Sequence, residues 1–249
     1  MNLIIDGNVI LIRSIFARRR IPKLPLEYFM VSQIFKYIKT FDPETVYLVA
    51  DSSDSWRKII YDKYKHKRKS FRDSFPDIDW DKMFNAYNKF LHILQSLTPI
   101  IVLRIDHLEG DDLIAYLCKY LKKPKIVVTK DKDLTQLIAL GDVKIALLKR
   151  KGKIEVIDRL EKDIVKEKIE KGDRSDDIPK ATTFVEKIRN QILVDLLNLP
   201  SIIEIEINKE LNRINKNPQL DLFVKRFPYK RVKDNINLLQ KLQGGENNE

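Results

Sequence analysis

The sequence predicts an α/β fold in which a mostly parallel central sheet has helices on both faces, followed by a helical C-terminal lobe. Short runs that are apolar almost throughout recur along the first two-thirds of the chain, as in strands buried on both faces of a parallel sheet. Helix-length segments with apolar residues at three- and four-residue steps separate these runs. After about residue 158 the strand-like runs stop, and only helical periodicity broken by prolines continues.

The strand-like runs are rich in β-branched residues, and helical segments fill the space between them and follow the last one. In the segment 79–97, one stripe of apolar residues that includes Tyr87 is typical of a helix facing a core. We therefore expect an α/β core over residues 1–157, a helical region over 158–249, and a frayed tail, GGENNE. The predicted strands are 2–5, 46–50, 100–103, 125–128 and 143–147, and the predicted helices are 25–40, 79–97, 109–122, 158–171, 182–199 and 202–214.

Composition restricts the class of function. The 249 residues carry 47 Lys and Arg against 36 Asp and Glu, a formal net charge of +11, which favours an acidic partner such as nucleic acid. A single cysteine, Cys118, excludes an internal disulfide framework and a cysteine-based zinc site. No run approaches the roughly 18 apolar residues of a membrane span, and the start does not resemble a secretory signal, so we expect a cytoplasmic protein.

Carboxylates follow four successive predicted strands. The carboxyl ends of parallel strands meet at one edge of a sheet, so these side chains are expected to gather there. Closely packed carboxylates repel one another unless a cation offsets their charge, and ligands that are all oxygen select hard ions such as Mg²⁺ or Mn²⁺. The seven strand-end acids are Asp6, Asp51, Glu109, Asp111, Asp112, Asp131 and Asp133.

Seven carboxylates exceed the needs of one Mg²⁺, so their number favours two ions about 3.5–4 Å apart. The alternative interpretation is structural, because an aspartate after a strand is often a turn former or a helix N-cap, and acids in a first helical turn complement the helix dipole. Repetition at every successive strand end favours the metal site. A further acidic segment, GDRSDDIP at residues 172–179, is compatible with a plain loop or with function.

A strongly basic segment directly follows the strand that ends at Asp51. Residues 56–72 read WRKIIYDKYKHKRKSFR, with a single acid, Asp62, and with aromatic residues such as Tyr64 among the cations. Aromatic faces can stack on unpaired bases while cations follow phosphates, although a solvated flexible loop is the usual explanation of a charge run. The eight cations are Arg57, Lys58, Lys63, Lys65, Lys67, Arg68, Lys69 and Arg72.

The sequence resembles the metal-dependent 5′ nucleases, which include flap endonucleases, the 5′-nuclease domains of bacterial DNA polymerases and phage 5′→3′ exonucleases. Within this family it is most similar to the T-even phage ribonuclease H type. Six motifs appear in family order over residues 2–178, and together they are far more specific than any one of them. They are IDGN (5–8), ADSSDSWRK (50–58), YKHKRK (64–69), EGDDLIA (109–115), TKDKDLTQL (129–137) and KGDRSDDI (171–178).

The resemblance implies a site of two Mg²⁺ ions, for which Mn²⁺ can substitute, beneath a basic helical arch at about residues 52–76. The acids that match the holders of the first ion are Asp6, Asp51, Asp111 and Asp131, with Glu109 and Asp112 in the same acidic element. The acids that match the second group are Asp133, Asp173 and Asp176. Of the arch residues expected to contact nucleic acid, which are Tyr64 and the eight cations, Lys65 and Arg68 match those that approach the scissile phosphate.

The activities that the resemblance implies are 5′→3′ exonuclease, flap endonuclease and ribonuclease H, which remove RNA primers and 5′ flaps during DNA replication. The implied partners are branched or flapped DNA, RNA–DNA hybrid and a single-stranded-DNA-binding protein, and a monomer is expected. The chain departs from the family after GDRSDDI, because the glycines of the duplex-binding hairpin are absent and a K⁺ site is therefore doubtful. Asp177 also stands where the family usually has Asn.

Two other classes of function stay open at this point. One is a PIN-type ribonuclease that acts on RNA alone, although a minimal domain of that type needs neither the long basic segment nor the GDRSDD element. The other is a non-catalytic nucleic-acid-binding protein on a nuclease fold, which predicts losses among the acids. Every expected carboxylate position is filled in this chain.

Overall fold

The computed structural model of the chain describes residues 1–160, 162–214 and 216–244, without the side chains of residues 68–70 and 151. The predicted tail falls mostly outside these ranges. No helix in the described part is long and apolar enough to cross a membrane.

A single six-stranded sheet forms the centre of the fold. Its spatial order is β3-β2-β1-β4-β5-β6; the first five strands of that order are parallel and β6 is antiparallel to β5. The fold class predicted from sequence is thereby confirmed. The strands are β1 (Asn2–Asp6), β2 (Thr45–Val49), β3 (Ile101–Leu103), β4 (Lys125–Thr129), β5 (Val143–Leu148) and β6 (Ile154–Ile157).

Twelve α-helices in the described part surround the sheet, with short 3-10 helices at Asp133–Leu140 and Arg150–Gly152. The helices in the first half are α1 (Gly7–Arg20), α2 (Leu26–Phe41), α3 (Arg57–Ile60), α4 (Arg68–Asp73), α5 (Trp80–Leu97) and α6 (Gly110–Tyr120). The others are α7 (Ile164–Lys171), α8 (Phe184–Val194), α9 (Ser201–Asn212), α10 (Leu220–Arg226), α11 (Lys230–Lys233) and α12 (Ile236–Gly244).

Two apolar cores lie on opposite faces of the sheet. One contains side chains of α1, α2 and α5, and the other contains side chains of α6 and the 3-10 helix Asp133–Leu140. The C-terminal helices contribute to both, since Phe223 and Leu239 are buried in the first core and Ile203 and Ile207 in the second. Burial of this apolar surface fixes the helices against the sheet. The domain boundary at residue 157 stays a prediction.

The topology brings the ends of the central strands together. β1 lies between β2 and β4, so the chain leaves β1 toward one side of the sheet and later returns to its other side. Such a switch point opens a crevice beyond the carboxyl ends of the strands. Asp6 is the last residue of β1, and Asp51 and Asp131 lie two residues after β2 and β4. The connections that carry the predicted acids therefore meet at this crevice.

Candidate active site

A large open cleft of about 1990 Å³ occupies the crevice. Asp6, Asp51, Asp111 and Asp131 line it together with Lys65. Four connections of the chain, each far from the others in sequence, thus deliver one carboxylate each to the same space.

Two of these acids are held by groups that fix their orientation. Asp6 caps α1, because its Oδ1 accepts hydrogen bonds from the backbone N–H groups of Asn8 at 3.0 Å and Val9 at 3.3 Å, and its Oδ2 accepts one from Thr129 Oγ1 at 2.8 Å. Oδ1 of Asp51 accepts a hydrogen bond from the Gly110 N–H at 2.7 Å. Asp6 is therefore both the N-cap of α1 and a residue of the cleft.

Gly110 is required by this close approach. A Cβ atom at position 110 would lie 2.9 Å from Oδ1 of Asp51, closer than side-chain carbons normally come to an oxygen. In the EGDD motif, Gly110 thus leaves room for the Asp51 carboxylate, and the next residue, Asp111, adds its own carboxylate to the cleft. Asn8 of the IDGN motif donates its side-chain N–H to the other oxygen of Asp51.

The raised pKa values of Asp6 and Asp111 indicate that the acids of the cleft repel one another. Burial raises the pKa of Asp6 to about 7 despite the hydrogen bond from Thr129, and the charges of Asp51 and Asp131 raise it further. Burial also raises the pKa of Asp111 well above its ordinary value; Lys65 opposes this rise, and the neighbouring acids add to it. A cation bound among these groups would stabilise their ionised forms.

A hard divalent cation fits these donors. All four side chains are carboxylates, which are donors that Mg²⁺ and Mn²⁺ prefer. No group of three or more His, Cys, Asp or Glu side chains in the described residues is arranged to hold an ion as it stands, so binding requires side-chain rotation. The donor chemistry and the raised pKa values of Asp6 and Asp111 nonetheless match what a divalent ion would offset.

Tyr87 is a residue of the cleft that the sequence analysis missed. Its hydroxyl is buried and has no hydrogen-bond partner among the described residues. Burial raises its pKa well above the ordinary value, and the charges of Asp6 and Asp51 act in the same direction. A Cβ atom at Gly7 would lie only 2.1 Å from this hydroxyl, so the glycine of IDGN admits it. A buried donor without a partner is rare in folded proteins.

We expect the metal-free protein to lose stability as the pH rises from about 4.5 to 7.5. The pKa of Asp6 rises from 3.8 to about 7 on folding, so the folded state binds more protons across this range and deprotonation favours unfolding. At about 1.4 kcal/mol per pKa unit, Asp6 accounts for up to about 4 kcal/mol. Thermal melts in EDTA at pH 5 and pH 8 measure the loss, and Mg²⁺ should reverse it at pH 8. An equal or higher Tm at pH 8 in EDTA would contradict this assignment.

Arg57 lies inside the protein. Its side chain is 1% exposed and forms a bidentate ion pair with Asp112, at 2.6 Å to Oδ1 and 3.0 Å to Oδ2. It also donates to Glu109 at 3.1 Å and to the backbone carbonyl of Leu193 in α8 at 3.0 Å. The prediction that Arg57 contacts nucleic acid is therefore wrong, because its guanidinium is used to join α3, α6 and α8.

Asp112 is fully buried by the same contacts. Besides Arg57, its Oδ2 accepts hydrogen bonds from Trp56 Nε1 at 3.0 Å and from the Glu109 N–H at 3.1 Å. Its predicted role as a metal ligand is wrong for this structure, since both oxygens are occupied away from solvent. The ADSSDSWRK and EGDDLIA motifs therefore meet as a structural unit that holds Asp111 in place.

Tyr64 and Lys65 extend this network into the arch. Tyr64 is 3% exposed and donates its hydroxyl to Glu109 at 2.9 Å, so the prediction that Tyr64 stacks on bases is also wrong. The ammonium of Lys65 lies 2.8 Å from Glu109 and 3.7 Å from Asp176, and it faces the Tyr64 ring. The Glu109 carboxylate is thus engaged by three donors, and Lys65 is fixed at the edge of the cleft.

Replacing Arg57 with methionine should destabilise the fold by about 3–5 kcal/mol, because Asp112 would remain buried without its counter-charge. Equilibrium urea unfolding measures the change. Lys58→Met is the matched control, since Lys58 is adjacent and its ion pair with Asp54 is exposed, so the unfolding midpoint should not move. Identical unfolding curves for Arg57→Met and the unchanged protein would show that this ion pair does not hold the fold.

The second predicted group of acids has separate surroundings. Asp133 and Asp173 both contact the ammonium of Lys168 on α7, whereas Asp176 lies near Tyr64 and Lys65. The structure thus divides the three predicted ligands between two lysines.

The backbone of the GDRSDD element explains two of its residues. Gly172 has φ +74°, and a Cβ there would lie 2.4 Å from the Ile178 carbonyl. Asp177 has φ +58°, in the left-handed region that Asn and Asp tolerate best among residues with side chains. Asp in place of the family's usual Asn is therefore compatible with the turn.

The remaining arch cations are mostly on the surface. Lys67 is 79% exposed and pairs with Asp177, Lys58 pairs with Asp54, and Lys63 is exposed. Arg72 lines the cleft. The predicted roles of Arg68 and Lys69 concern side chains outside the described residues.

The cleft has further cations and aromatic rings that the sequence analysis did not assign. Isolated basic residues give no local signal, and only the fold brings them to one cleft. Phe71 and Trp80 also line the cleft, with their rings 6.2 Å apart. The additional cleft cations are Arg13, Arg20, Lys36, Lys39, Arg104, Lys130, Arg150 and Arg231.

Comparisons with known proteins agree with this site. Residues 1–170 match the 5′-3′ exonuclease, N-terminal resolvase-like domain. The fold and the acid-lined cleft define a nuclease-like α/β protein, and this match, which covers more than half of the chain, places it in the 5′-3′ exonuclease family. The resemblance predicted from the six motifs is confirmed.

Individual relatives come from bacteriophages. Ribonuclease H of Enterobacteria phage T4 is 34% identical over 114 residues, which is 44% of this chain and 37% of that protein. The bacteriophage T5 5′-exonuclease with bound zinc ions superimposes with a TM-score of 0.66 at 17% identity, over 86% of this chain and 99% of that one. A single-residue variant of the T5 flap endonuclease, in a pseudo-enzyme-product complex with DNA and metal ions, gives 0.67 at 17% identity over the same shares.

Proposed function

We propose that the protein is a structure-specific 5′ nuclease that hydrolyses phosphodiesters near the 5′ ends of branched nucleic acids, with 5′→3′ exonuclease, flap endonuclease and ribonuclease H activity. Its family supports phosphodiester hydrolysis. The names of the T4 and T5 relatives support the substrates, which are RNA–DNA hybrid and flapped DNA. Removal of RNA primers and 5′ flaps during replication is the corresponding role.

One observation carries the proposal. Four carboxylates from separate connections line a cleft whose other walls carry cations and aromatic rings. Cations along a groove attract the phosphate backbone, and aromatic faces stack on unpaired bases. A binding protein would need the cations, but it would have no use for four carboxylates in the same groove.

The first divalent ion, Mg²⁺ or Mn²⁺, is assigned to Asp6, Asp51, Asp111 and Asp131. When bound, such an ion lowers the pKa of a coordinated water and offsets the charge of the phosphate. The chain positions the ligands, since Thr129 fixes Asp6 and the Gly110 N–H fixes Asp51.

One residue of the arch acts on the substrate. Lys65 offers a fixed positive charge beside Asp111, where a phosphate would develop negative charge. The second ion is assigned to Asp133, Asp173 and Asp176, next to the lysines already there. A single-stranded-DNA-binding protein as partner and a monomeric state remain expectations from the resemblance.

The connection between the arch and the GDRSDD element favours this function over a PIN-type ribonuclease. The backbone N–H of Lys65 donates to the carbonyl of Asp176 at 2.9 Å, and Lys67 binds Asp177 through both its N–H and its ammonium. The basic segment and the GDRSDD element, which a minimal PIN domain lacks, are thus bonded to each other at the site.

An assay on 5′-labelled substrates tests the function. A flapped DNA, an RNA–DNA hybrid and a structured RNA are incubated with Mg²⁺ or with EDTA. We expect cleavage of the flap and the hybrid in Mg²⁺ and of no substrate in EDTA. Cleavage of the structured RNA alone would identify a PIN-type ribonuclease, and binding of all three without cleavage in Mg²⁺ would identify a non-catalytic protein.

A further inference from the structure

Lys168 is placed directly on the acids assigned to the second ion. It lies in α7, which packs against the 3-10 helix Asp133–Leu140, and its side chain is 20% exposed. Its ammonium contacts one oxygen of Asp133 and one oxygen of Asp173. The lysine thus bridges two carboxylates that are 40 residues apart in sequence.

Asp173 is held ready for a cation at this position. Oδ1 of Asp173 accepts hydrogen bonds from the N–H of Ser175 at 2.8 Å and from its hydroxyl at 2.5 Å, which leaves Oδ2 for Lys168. The backbone of Asp173 also pairs with Ile178 in both directions, at 2.8 and 2.7 Å. Although burial raises the pKa of Asp173, Lys168 and Ser175 hold it below its ordinary value. Asp173 is therefore an ionised and rigid partner for the lysine.

The charges at the two groups of acids differ. Asp133 and Asp173 share one whole ammonium, which leaves a formal charge of −1. The first group has four carboxylates near the charge of Lys65, whose ammonium is itself engaged by Glu109. A divalent cation is therefore attracted much more strongly to the first group than to the second.

We propose that Lys168 is a resident cation that competes with a divalent ion for Asp133 and Asp173, so that the protein binds one divalent ion tightly and a second only after the ammonium has moved away. This inference rests on the proposed function in taking the acids as metal ligands. An ammonium and a divalent ion cannot use the same carboxylate oxygens, because they are like charges within a few ångströms. The flexible four-carbon stem and partial exposure of Lys168 allow the ammonium to leave.

A titration with Mn²⁺ in the absence of nucleic acid tests the competition. Free Mn²⁺ is followed by electron paramagnetic resonance for the unchanged protein and for Lys168→Met. We expect one tight ion in both and at least a tenfold gain in affinity for the second ion in Lys168→Met. Lys171→Met is the matched control, because the substitution removes the same charge from the same helix. Lys171 pairs with Glu167 at the surface, away from Asp133 and Asp173. Superimposable curves for the two variants would overturn the proposal.

Lys168→Arg and thermal melts guard against a purely structural effect. The arginine keeps a cation, so its second Mn²⁺ site should stay weak. If Lys168→Met is too unstable to titrate, its Tm in Mn²⁺ relative to EDTA should rise more than that of the unchanged protein, because the metal replaces the lost ammonium. An equal rise in both would overturn the proposal. If the unchanged protein cleaved no substrate while Lys168→Met still bound the second Mn²⁺ more tightly, the proposed function would be refuted and the competition would stand.

Discussion

Asp111→Asn is expected to abolish cleavage while leaving the binding of branched DNA intact. Asp111 is the cleft acid whose pKa burial and three neighbouring acids raise well above its ordinary value, so it lies at the centre of the cluster. Its amide cannot offer the negative charge that a divalent ion needs from the first group. We expect a fall in kcat of at least about 10³-fold, equivalent to about 4 kcal/mol of transition-state stabilisation.

Asp106→Asn provides the control for this prediction. Asp106 is exposed, lies five residues earlier and is not part of the cleft lining, so the Asp106→Asn variant should cleave DNA at the normal rate. Single-turnover cleavage in Mg²⁺ and equilibrium binding in EDTA are measured on the same flapped DNA. Normal turnover by Asp111→Asn would remove this residue from the metal site, and equal losses in both variants would point to a general electrostatic effect.

Lys65→Met is expected to slow cleavage by about 10²–10³-fold in a protein that still folds. Its ammonium lies beside Asp111 at the edge of the cleft, where it can stabilise charge on a phosphate. Glu109 would keep its hydrogen bonds from Arg57 and Tyr64, but Arg57 would then be shared by two buried carboxylates, Glu109 and Asp112, so some loss of stability should accompany the change. The fall in rate should appear in single-turnover cleavage at saturating substrate, measured well below the Tm of the variant.

Lys67→Met is the control here. Lys67 belongs to the same basic segment, but its ammonium is 79% exposed, pairs with Asp177 and does not line the cleft. It should weaken DNA binding slightly in low salt and leave the single-turnover rate unchanged. If the two lysine variants showed the same rate loss, the role of Lys65 would be reduced to general attraction of nucleic acid.

The meeting of the cleft carboxylates could be predicted because it depends only on the order and direction of the strands. Buried apolar runs identify parallel strands, parallel strands share an edge, and Asp6, Asp51 and Asp131 follow such runs directly. The outer elements were less visible. β6 is a half-exposed edge strand, and α1 begins at Gly7 directly after β1 ends at Asp6, with no loop between them, so neither has a distinct pattern.

Burial of polar residues could not be read from local sequence. Arg57 stands in a basic run that is typical of a surface, and only Asp112, 55 residues away, makes its burial favourable. Tyr87 fits the apolar stripe of α5, and only the fold shows that its hydroxyl lies near Asp6 and Asp51. Lys168 is one of several lysines in α7, and only the fold separates it from Lys171.

The most direct measurement is the anomalous scattering of crystals soaked in Mn²⁺ at low concentration. We expect the strongest peak in the cleft, within about 2–2.5 Å of carboxylate oxygens from the first group of acids. The ligands expected around that peak are Asp6, Asp51, Asp111 and Asp131. A strongest peak elsewhere, or no peak in this cleft at saturating Mn²⁺, would contradict the assignment of these four acids as the metal centre.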